Sequence, residues 1–475
     1  MHCMDDKGKI SVQTQDRDWT PRLDAAQGPI YLAIADAIGT DIAKGELRAG
    51  ERLPTHRALA ERLGVDLTTV TRAYAEARRR GLVEASVGRG TFVRAPAPMA
   101  TEPSGGVDLG MNLPPQPTDP SLRELLQQGF ARLLAGADAR MLTYRSGAGS
   151  PEERAAGATW LRPTLGAVDP ERVLLAPGAQ PALLAALGAV AAAGEVVLTD
   201  RLTYPGLRCA AAQLGLRLVA VAGDAEGMLP AALDAACRDS AAKALYCTPT
   251  IHNPTAVTMP PARRHEIAGL ARRHGLSILE DDAYGLLPSA PLPAIASLAP
   301  EISVHIATVS KVLSPALRVA YVVAPDARWA TRLSVALRAA VLMTSPLLAG
   351  LVTAWIADGT AGAVVAAIRR ESAARQRIAR EILPADAIDA HPEGLHLWLR
   401  LPARWDRLAF VAHLRRQGGL AVVPSDAFAI GDAPPPGAVR VSLGAAPDRE
   451  SLRQALRAVA AALAEYTPVP FFEVV

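Results

Sequence analysis

At 475 residues the chain is long enough for more than one domain and a large core. Hydrophobic residues make up 50%, aromatics only 4%, and the net charge is +3, which excludes both a disordered polar chain and a globally basic one. No apolar run reaches the length of a membrane-spanning helix, and the polar start "MHCMDDKGKISVQTQDRDWT" has no apolar signal core, so the expectation is a cytoplasmic protein with no membrane partner. The four cysteines, Cys3, Cys209, Cys237 and Cys247, show no CxxC spacing and no paired histidines, which argues against a zinc site or a disulfide scaffold.

Residues 1–25 read as a flexible extension. In "PIYLAIADAIGTDIAKG", Ile30, Ile34, Ile38 and Ile42 stand four apart and predict an amphipathic helix ending near Gly45. "RLPTHRALAERLG" predicts a second helix, with Thr55 as its cap, Leu59 and Leu63 on one face and Gly64 as its stop. "VDLTTVTRAYAEARRRG" predicts a third, capped by Asp66, with Val70, Ala73 and Ala77 inward and Gly81 ending it. Two short helices across a glycine-containing turn are a helix-turn-helix, and "LVEAS-VGRG-TFVR" adds a hairpin. Residues 26–95 therefore read as a winged helix-turn-helix for double-stranded DNA. Thr68, Thr69, Thr71 and Arg72 would lie near the start of the helix that enters the major groove, and Gly88 and Arg89 at the wing tip would meet phosphates or the minor groove. The charge agrees, since residues 72–94 carry six arginines against Glu76 and Glu84.

Residues 96–120, "PAPMATEPSGGVDLGMNLPPQPTDP", are dominated by proline and glycine and read as a linker. Beyond it, over 121–470, apolar β-like runs at 172–178, 195–200, 216–223, 242–249, 276–282, 302–310 and 319–325 alternate with helical patterns. That alternation predicts a mainly parallel α/β sheet covered on both faces. A helix-rich stretch at 327–381 follows. Strands near 395–400 and 438–443 and a closing helix from 447 to 465 predict a smaller α+β subdomain.

Polar residues at the carboxyl ends of parallel strands are where such sheets bind ligands. Ala179 and Gln180 open a helix, where free N–H groups attract a phosphate. Tyr204, Asn253, Asp281, Tyr284, Thr308, Ser310, Lys311 and Arg318 follow in order, each at a predicted strand end or in the loop beyond it. Lys311 is one of only five lysines, Lys7, Lys9, Lys44, Lys243 and Lys311, in a chain that otherwise writes its cations as arginine. A guanidinium stays protonated and cannot form an imine, whereas an ε-amine can.

Two family resemblances follow. "GELRAGERLPTHRALAERLGVDLTTVTRAYAEARRRGLVEASVGRGTFV" resembles the GntR family of bacterial regulators, over about residues 28–94. It implies DNA contacts at Arg57, Thr69, Thr71, Gly88 and Arg89, with Leu67 where many members have a base-reading arginine. Residues 105–465 resemble the fold-type I pyridoxal-phosphate enzymes of the aminotransferase class. The resemblance implies that Lys311 holds pyridoxal 5′-phosphate (PLP) as a Schiff base and that Asp281 pairs with the pyridinium nitrogen. Asn253 and Tyr284 would bind the ring oxygen, and Tyr204 would stack on the ring. Ala179, Gln180, Thr308, Ser310 and Arg318 would hold the phosphate. Tyr144 would reach the phosphate from a partner subunit, which makes a homodimer, and Arg440 would bind the α-carboxylate of an amino compound. Ala256 and Ala320 stand where glycines are common in that class.

The combination resembles the MocR subfamily of GntR regulators. It implies a transcriptional regulator that senses PLP, or a small amino-compound effector condensing with it as an external aldimine. The rival reading is an active aminotransferase carrying a DNA-binding head. A third reading, a scaffold that has lost its cofactor, fits poorly with intact Lys311, Asp281 and Arg318.

Overall fold

The structure is a computed structural model that describes residues 19–21, 29–44, 46–47, 51–80, 82–86, 90–93, 107–136, 139–145, 148–431 and 433–465. The expected extension 1–25 falls almost wholly outside them, as do Gly81 and the wing-tip residues Gly88 and Arg89. The chain divides into two compact units, Met1–Ser104 and Gly105–Val475.

The first unit contains α1 (Ile30–Ala43), α2 (His56–Leu63), α3 (Leu67–Arg79), β1 (Val83–Ser86) and β2 (Gly90–Val93). The starts of α2 and α3 are those the caps announce. Thr55 accepts from the Ala58 N–H at 3.2 Å and Asp66 from the Thr68 N–H at 2.7 Å, each satisfying a donor that the first turn leaves free. Gly64 ends α2 at φ 64°, which a glycine adopts without steric cost. Ile34, Ile38, Leu59, Val70, Ala73 and Ala77 are all 0% exposed and form the core. Ile30, expected on the same face, is 50% exposed. Residues four apart advance about 40° beyond a full turn at each step, so a four-residue period rotates off a buried face. β1 and β2 pair antiparallel with Val83 opposite Val93, and Leu53 and Val93 exchange backbone bonds with Thr91 and Glu51, so the segment before α2 lines the hairpin edge.

The second unit opens with α4 (Leu122–Ala135) and α5 (Pro151–Leu165). Strand and helix then alternate through β3 (Val173–Ala176), α6 (Ala179–Val190), β4 (Val196–Asp200), α7 (Pro205–Gln213), β5 (Arg217–Val221), the small hairpin β6 (Gly223–Asp224) and β7 (Gly227–Met228), α8 (Pro230–Asp239), β8 (Ala242–Cys247), α9 (Pro261–His274), β9 (Ser277–Asp281), α10 (Ile295–Leu298), β10 (Ser303–Thr308) and β11 (Ala320–Val323). Seven strands form one sheet in the order β3-β11-β10-β9-β8-β4-β5, parallel throughout except that β11 runs against both neighbours. β3, β10 and β11 are buried at every position, as a sheet covered on both faces requires.

Helices α11 (Ala327–Val341), α12 (Pro346–Ala357) and α13 (Thr360–Ile382) lead to the smaller subdomain. It comprises β12 (Ile388–Ala390), β13 (His396–Arg400), α14 (Arg407–Gly418), β14 (Val423–Pro424), β15 (Ala438–Ser442) and α15 (Arg449–Ala464), with an antiparallel sheet ordered β12-β13-β15-β14. Among the described residues no single helix is long and apolar enough to cross a membrane.

Residues 107–120, read from the sequence as the end of a linker, are part of this unit. Leu109 is 0% exposed in the small-subdomain core, its carbonyl accepts from the Ser442 N–H at 2.9 Å, and Asp108 bridges to Ala421. We call residues 107–113 the strap.

Candidate cofactor site and DNA-contact face

β8, β9 and β10 run parallel, so their carboxyl ends and the loops that follow open on one side of the sheet. Asp281 closes β9, Thr308 closes β10, and Lys311 follows three residues later. Its Nζ donates to the Asn112 carbonyl of the strap at 2.5 Å. Burial foremost, with the charges of Arg440 and Arg318 adding to it, lowers the amine's pKa to about 8. A larger fraction is therefore unprotonated near neutral pH than on an exposed lysine, which suits a nucleophile.

Asp281 Oδ2 accepts from the Tyr246 hydroxyl at 2.8 Å, while its other oxygen, Oδ1, is buried without a partner. Burial raises this carboxyl's pKa. A cationic N–H donor would satisfy the orphaned oxygen and offset the burial cost together. The Tyr284 hydroxyl accepts from Asn112 Nδ2 at 2.8 Å, and burial pushes its pKa up. Arg440 spans the site, with Nη1 donating to Asn253 Oδ1 at 2.7 Å and Nη2 to the Gly110 carbonyl at 2.5 Å. Its Nε is buried and unpartnered.

The expected phosphate cradle assembles along one row of the sheet, where Ala176, Ala320 and Thr308 lie opposite one another on β3, β11 and β10. No side chain caps the N-terminus of α6, so the first N–H groups, those of Ala179 and Gln180 among them, are left for an anion. Thr308 and Ser310 share a hydroxyl contact at 3.0 Å. Arg318 adopts φ 45° and lies so close that a Cβ on Gly178 would sit 2.4 Å from its Nη2. Gln180 is held by the Gly206 carbonyl at 2.9 Å. Tyr204 starts α7, half-buried, its pKa raised by burial and then by the charge of Asp281.

The unsatisfied Asp281 oxygen and the uncapped, glycine-lined start of α6 fit the two ends of PLP, the pyridinium nitrogen and the phosphate. Tyr144 is the exception among the expected residues. It is 81% exposed and contributes nothing to this chain's own site. Three residues that matter were missed from the sequence. Asn112 lay inside the supposed linker, Tyr246 inside a strand, and His396, which contacts Asn112 Nδ2 through Nδ1 at 3.0 Å, on β13.

In the first unit, Arg57, Thr68, Thr71 and Arg72 are exposed and Thr69 is half-buried. Thr68 is committed to its own helix start, where its hydroxyl donates to Asp66 Oδ1 at 2.6 Å. The Thr71 hydroxyl donates to the Leu67 carbonyl at 2.9 Å and meets His56 Nδ1 at 3.2 Å. The Arg72 guanidinium lies 4.4 Å over the Tyr31 ring, a cation–π contact that holds it against α1. His56, at the start of α2, is a further polar group on this face that the sequence reading left out.

These features define a PLP-binding fold of the aminotransferase type joined to a winged helix-turn-helix. Residues 104–459 match the family "Aminotransferase class I and II", and residues 30–93 match "Bacterial regulatory proteins, gntR family". The HTH-type transcriptional regulator YdeF of Bacillus subtilis is 31% identical over 94% of this chain and 97% of its own length. The vitamin B6 salvage pathway transcriptional repressor PtsJ of Salmonella typhimurium is 31% identical over 88% of this chain and 95% of its own. Among solved structures, LysN, an α-aminoadipate aminotransferase of Thermus thermophilus, superposes with a TM-score of 0.68 at 27% identity, over 82% of this chain and 98% of that one. The chain belongs to the GntR-family transcriptional regulators that carry an aminotransferase class I and II domain, the MocR-type architecture, and the cofactor of that domain's family is PLP.

Proposed function

We propose that this regulator holds PLP on Lys311 and that its affinity for an operator responds to an amino compound bound at the same site. PLP supplies a carbonyl carbon that bonds amines reversibly. The observation that carries the reading is the Lys311–Asn112 hydrogen bond. While Lys311 is a free amine it ties the strap to the site, and a nitrogen engaged elsewhere releases the Asn112 carbonyl. Arg440 adds a second tie through Gly110, and an incoming carboxylate would compete for the same guanidinium. The strap leads directly in sequence toward the DNA-binding unit, so its two ties give site occupancy a route to operator affinity. The Salmonella relative, named as a repressor of vitamin B6 salvage, supports a sensing role. The exposed Tyr144 supports a homodimer in which it completes the partner's cradle.

Operator affinity of the full-length, PLP-loaded protein, measured by fluorescence anisotropy across a panel of amino acids and amines with keto acid assayed in parallel, tests this. One amine that changes operator affinity without keto acid accumulating supports the sensor. Steady keto acid release with operator affinity unmoved by any amine would instead make the chain an aminotransferase with an appended head.

A further inference from the structure

A second cavity, of about 640 Å³, lies between the large domain and the small subdomain and contains none of the residues assigned to PLP. The carboxyl end of β4, the β6–β7 hairpin and the loop after β8 form one wall. β13 and the 434–436 turn of the small subdomain form the other. Its volume is that of a small-molecule site.

The lining mixes apolar and polar side chains. Met228, Met259, Trp398 and Pro436 are among its apolar lining, and Asp200, Thr248 and His252 are polar residues of the large-domain wall. There Asp200, with its side chain 18% exposed, faces His252 Nε2 at 3.7 Å. His252 is 9% exposed and Thr248 5%, yet His252 Nε2 and Thr248 Oγ1 have no hydrogen-bond partner. Buried polar atoms are nearly always partnered, so two orphans beside one cavity point to a missing ligand group. Burial lowers the His252 pKa to about 4 and raises that of Asp200 to about 7, so the imidazole is neutral and the carboxyl has no cation to hold it ionised. Arg201 and Arg400 stand at the cavity too, but Arg201 donates to the Pro434 carbonyl and Arg400 to Asp389 and the Asp386 carbonyl.

We infer that this cavity is a second small-molecule site, taking an organic amine whose ammonium pairs with Asp200 and whose apolar body lies between Met259 and Trp398. The inference is drawn from the residues of this cavity alone, and its test takes the proposed PLP binding as the sign that each variant folds. Its wall residues join sequence neighbours in the cofactor site, since Asp200 is four residues before Tyr204 and His252 adjoins Asn253. An occupant would therefore fix the two subdomains against each other beside the PLP pocket.

The test uses N,N-dimethylphenethylamine, a tertiary amine that cannot form an imine with PLP, titrated calorimetrically into the full-length, PLP-loaded protein. Saturable binding is expected below about 1 mM, weakened at least tenfold by Asp200→Asn and abolished by Ala222→Phe, which fills the mouth. Both variants should keep the visible absorption of bound PLP, which shows that they fold. The neutral analogue 2-phenylethanol should bind at least tenfold more weakly than the amine. No saturable binding to the wild type, or equal affinity in both variants, would overturn the site, and equal binding of the alcohol would overturn the role of Asp200.

Discussion

Gly178 is where the phosphate cradle can be tested most sharply. It sits at φ 108° and ψ 168°, a region that only glycine enters readily, and a Cβ there would approach Arg318 Nη2 to 2.4 Å. Gly178→Ala therefore imposes backbone strain of about 1–3 kcal/mol and pushes the guanidinium out of line with the start of α6. A charge-assisted hydrogen bond is worth about 1.5–3 kcal/mol, and each 1.4 kcal/mol is a factor of ten, so PLP affinity should fall about 10- to 100-fold. Gly194→Ala is the matched control, because its φ of 86° is also positive but a Cβ there meets nothing within 4 Å. Both variants should lose thermal stability in the apo form. Only Gly178→Ala should lose cofactor affinity, read by titrating each apo-protein with PLP and following the visible band. Equal PLP affinity in Gly178→Ala and Gly194→Ala would refute the placement of the phosphate against Arg318.

Lys311→Ala should fold but never acquire a borohydride-sensitive visible band; a variant that does would remove Lys311 from the assignment. In the wild type, only the deprotonated amine reacts and its folded pKa is about 8, lowered from the ordinary lysine range. The rate of PLP capture should thus rise about tenfold per pH unit up to about pH 8 and level off above it; a flat profile between pH 6 and 8 would contradict the buried amine. Arg440→Lys keeps the charge but loses the two-pronged geometry that joins Asn253 and Gly110. It should retain PLP while the effector's half-saturating concentration for the operator response rises at least tenfold. Arg57→Ala should weaken operator binding and reduce the slope of log affinity against log salt by about one, as loss of a phosphate contact does; an unchanged slope would remove Arg57 from the DNA face. Asn112→Ala preserves the backbone carbonyl that Lys311 meets but removes the side chain's hold on Tyr284 and His396. It should leave PLP bound and uncouple operator affinity from effector.

What the sequence made legible, it made legible through local chemistry. Thr55, Gly64 and Asp66 announced helix ends because a cap or a left-handed turn needs particular side chains at particular positions. The buried strands announced themselves as uninterrupted apolar runs, and β11 shows the limit, since nothing within "VAYVV" states its direction. Lys311, Asp281, Asn253 and Arg318 could be singled out because each stands at a strand's end or in the loop beyond it. Arg72 could not be placed, because its guanidinium rests on Tyr31, forty-one residues earlier, and no local pattern encodes that cation–π contact. Asn112 was hidden for the same reason. Its partners, Tyr284, His396 and Lys311, come from three distant segments, and the proline and glycine around it imitate a linker.

That imitation bears on mechanism. A regulator with a cofactor site and a DNA-binding unit needs a segment whose position depends on the site and whose continuation reaches the head. The strap meets both demands. Leu109 anchors it to β15, Gly110 ties it to Arg440, and Asn112 ties it to Lys311, while the winged helix-turn-helix precedes it in sequence. Two of these ties are made by the groups that the cofactor and a carboxylated amine would engage, whereas the Leu109 tie is purely backbone and core. PLP held on Lys311 would therefore release the strap at Asn112, and a carboxylated amine would contest its Gly110 tie to Arg440, while the Leu109 tie keeps it fastened at the small subdomain. Residues 110–113 would then act as a hinge, with its output passed to the DNA-binding unit that precedes the strap in sequence. An aminotransferase fold needs no such output, but a sensor does.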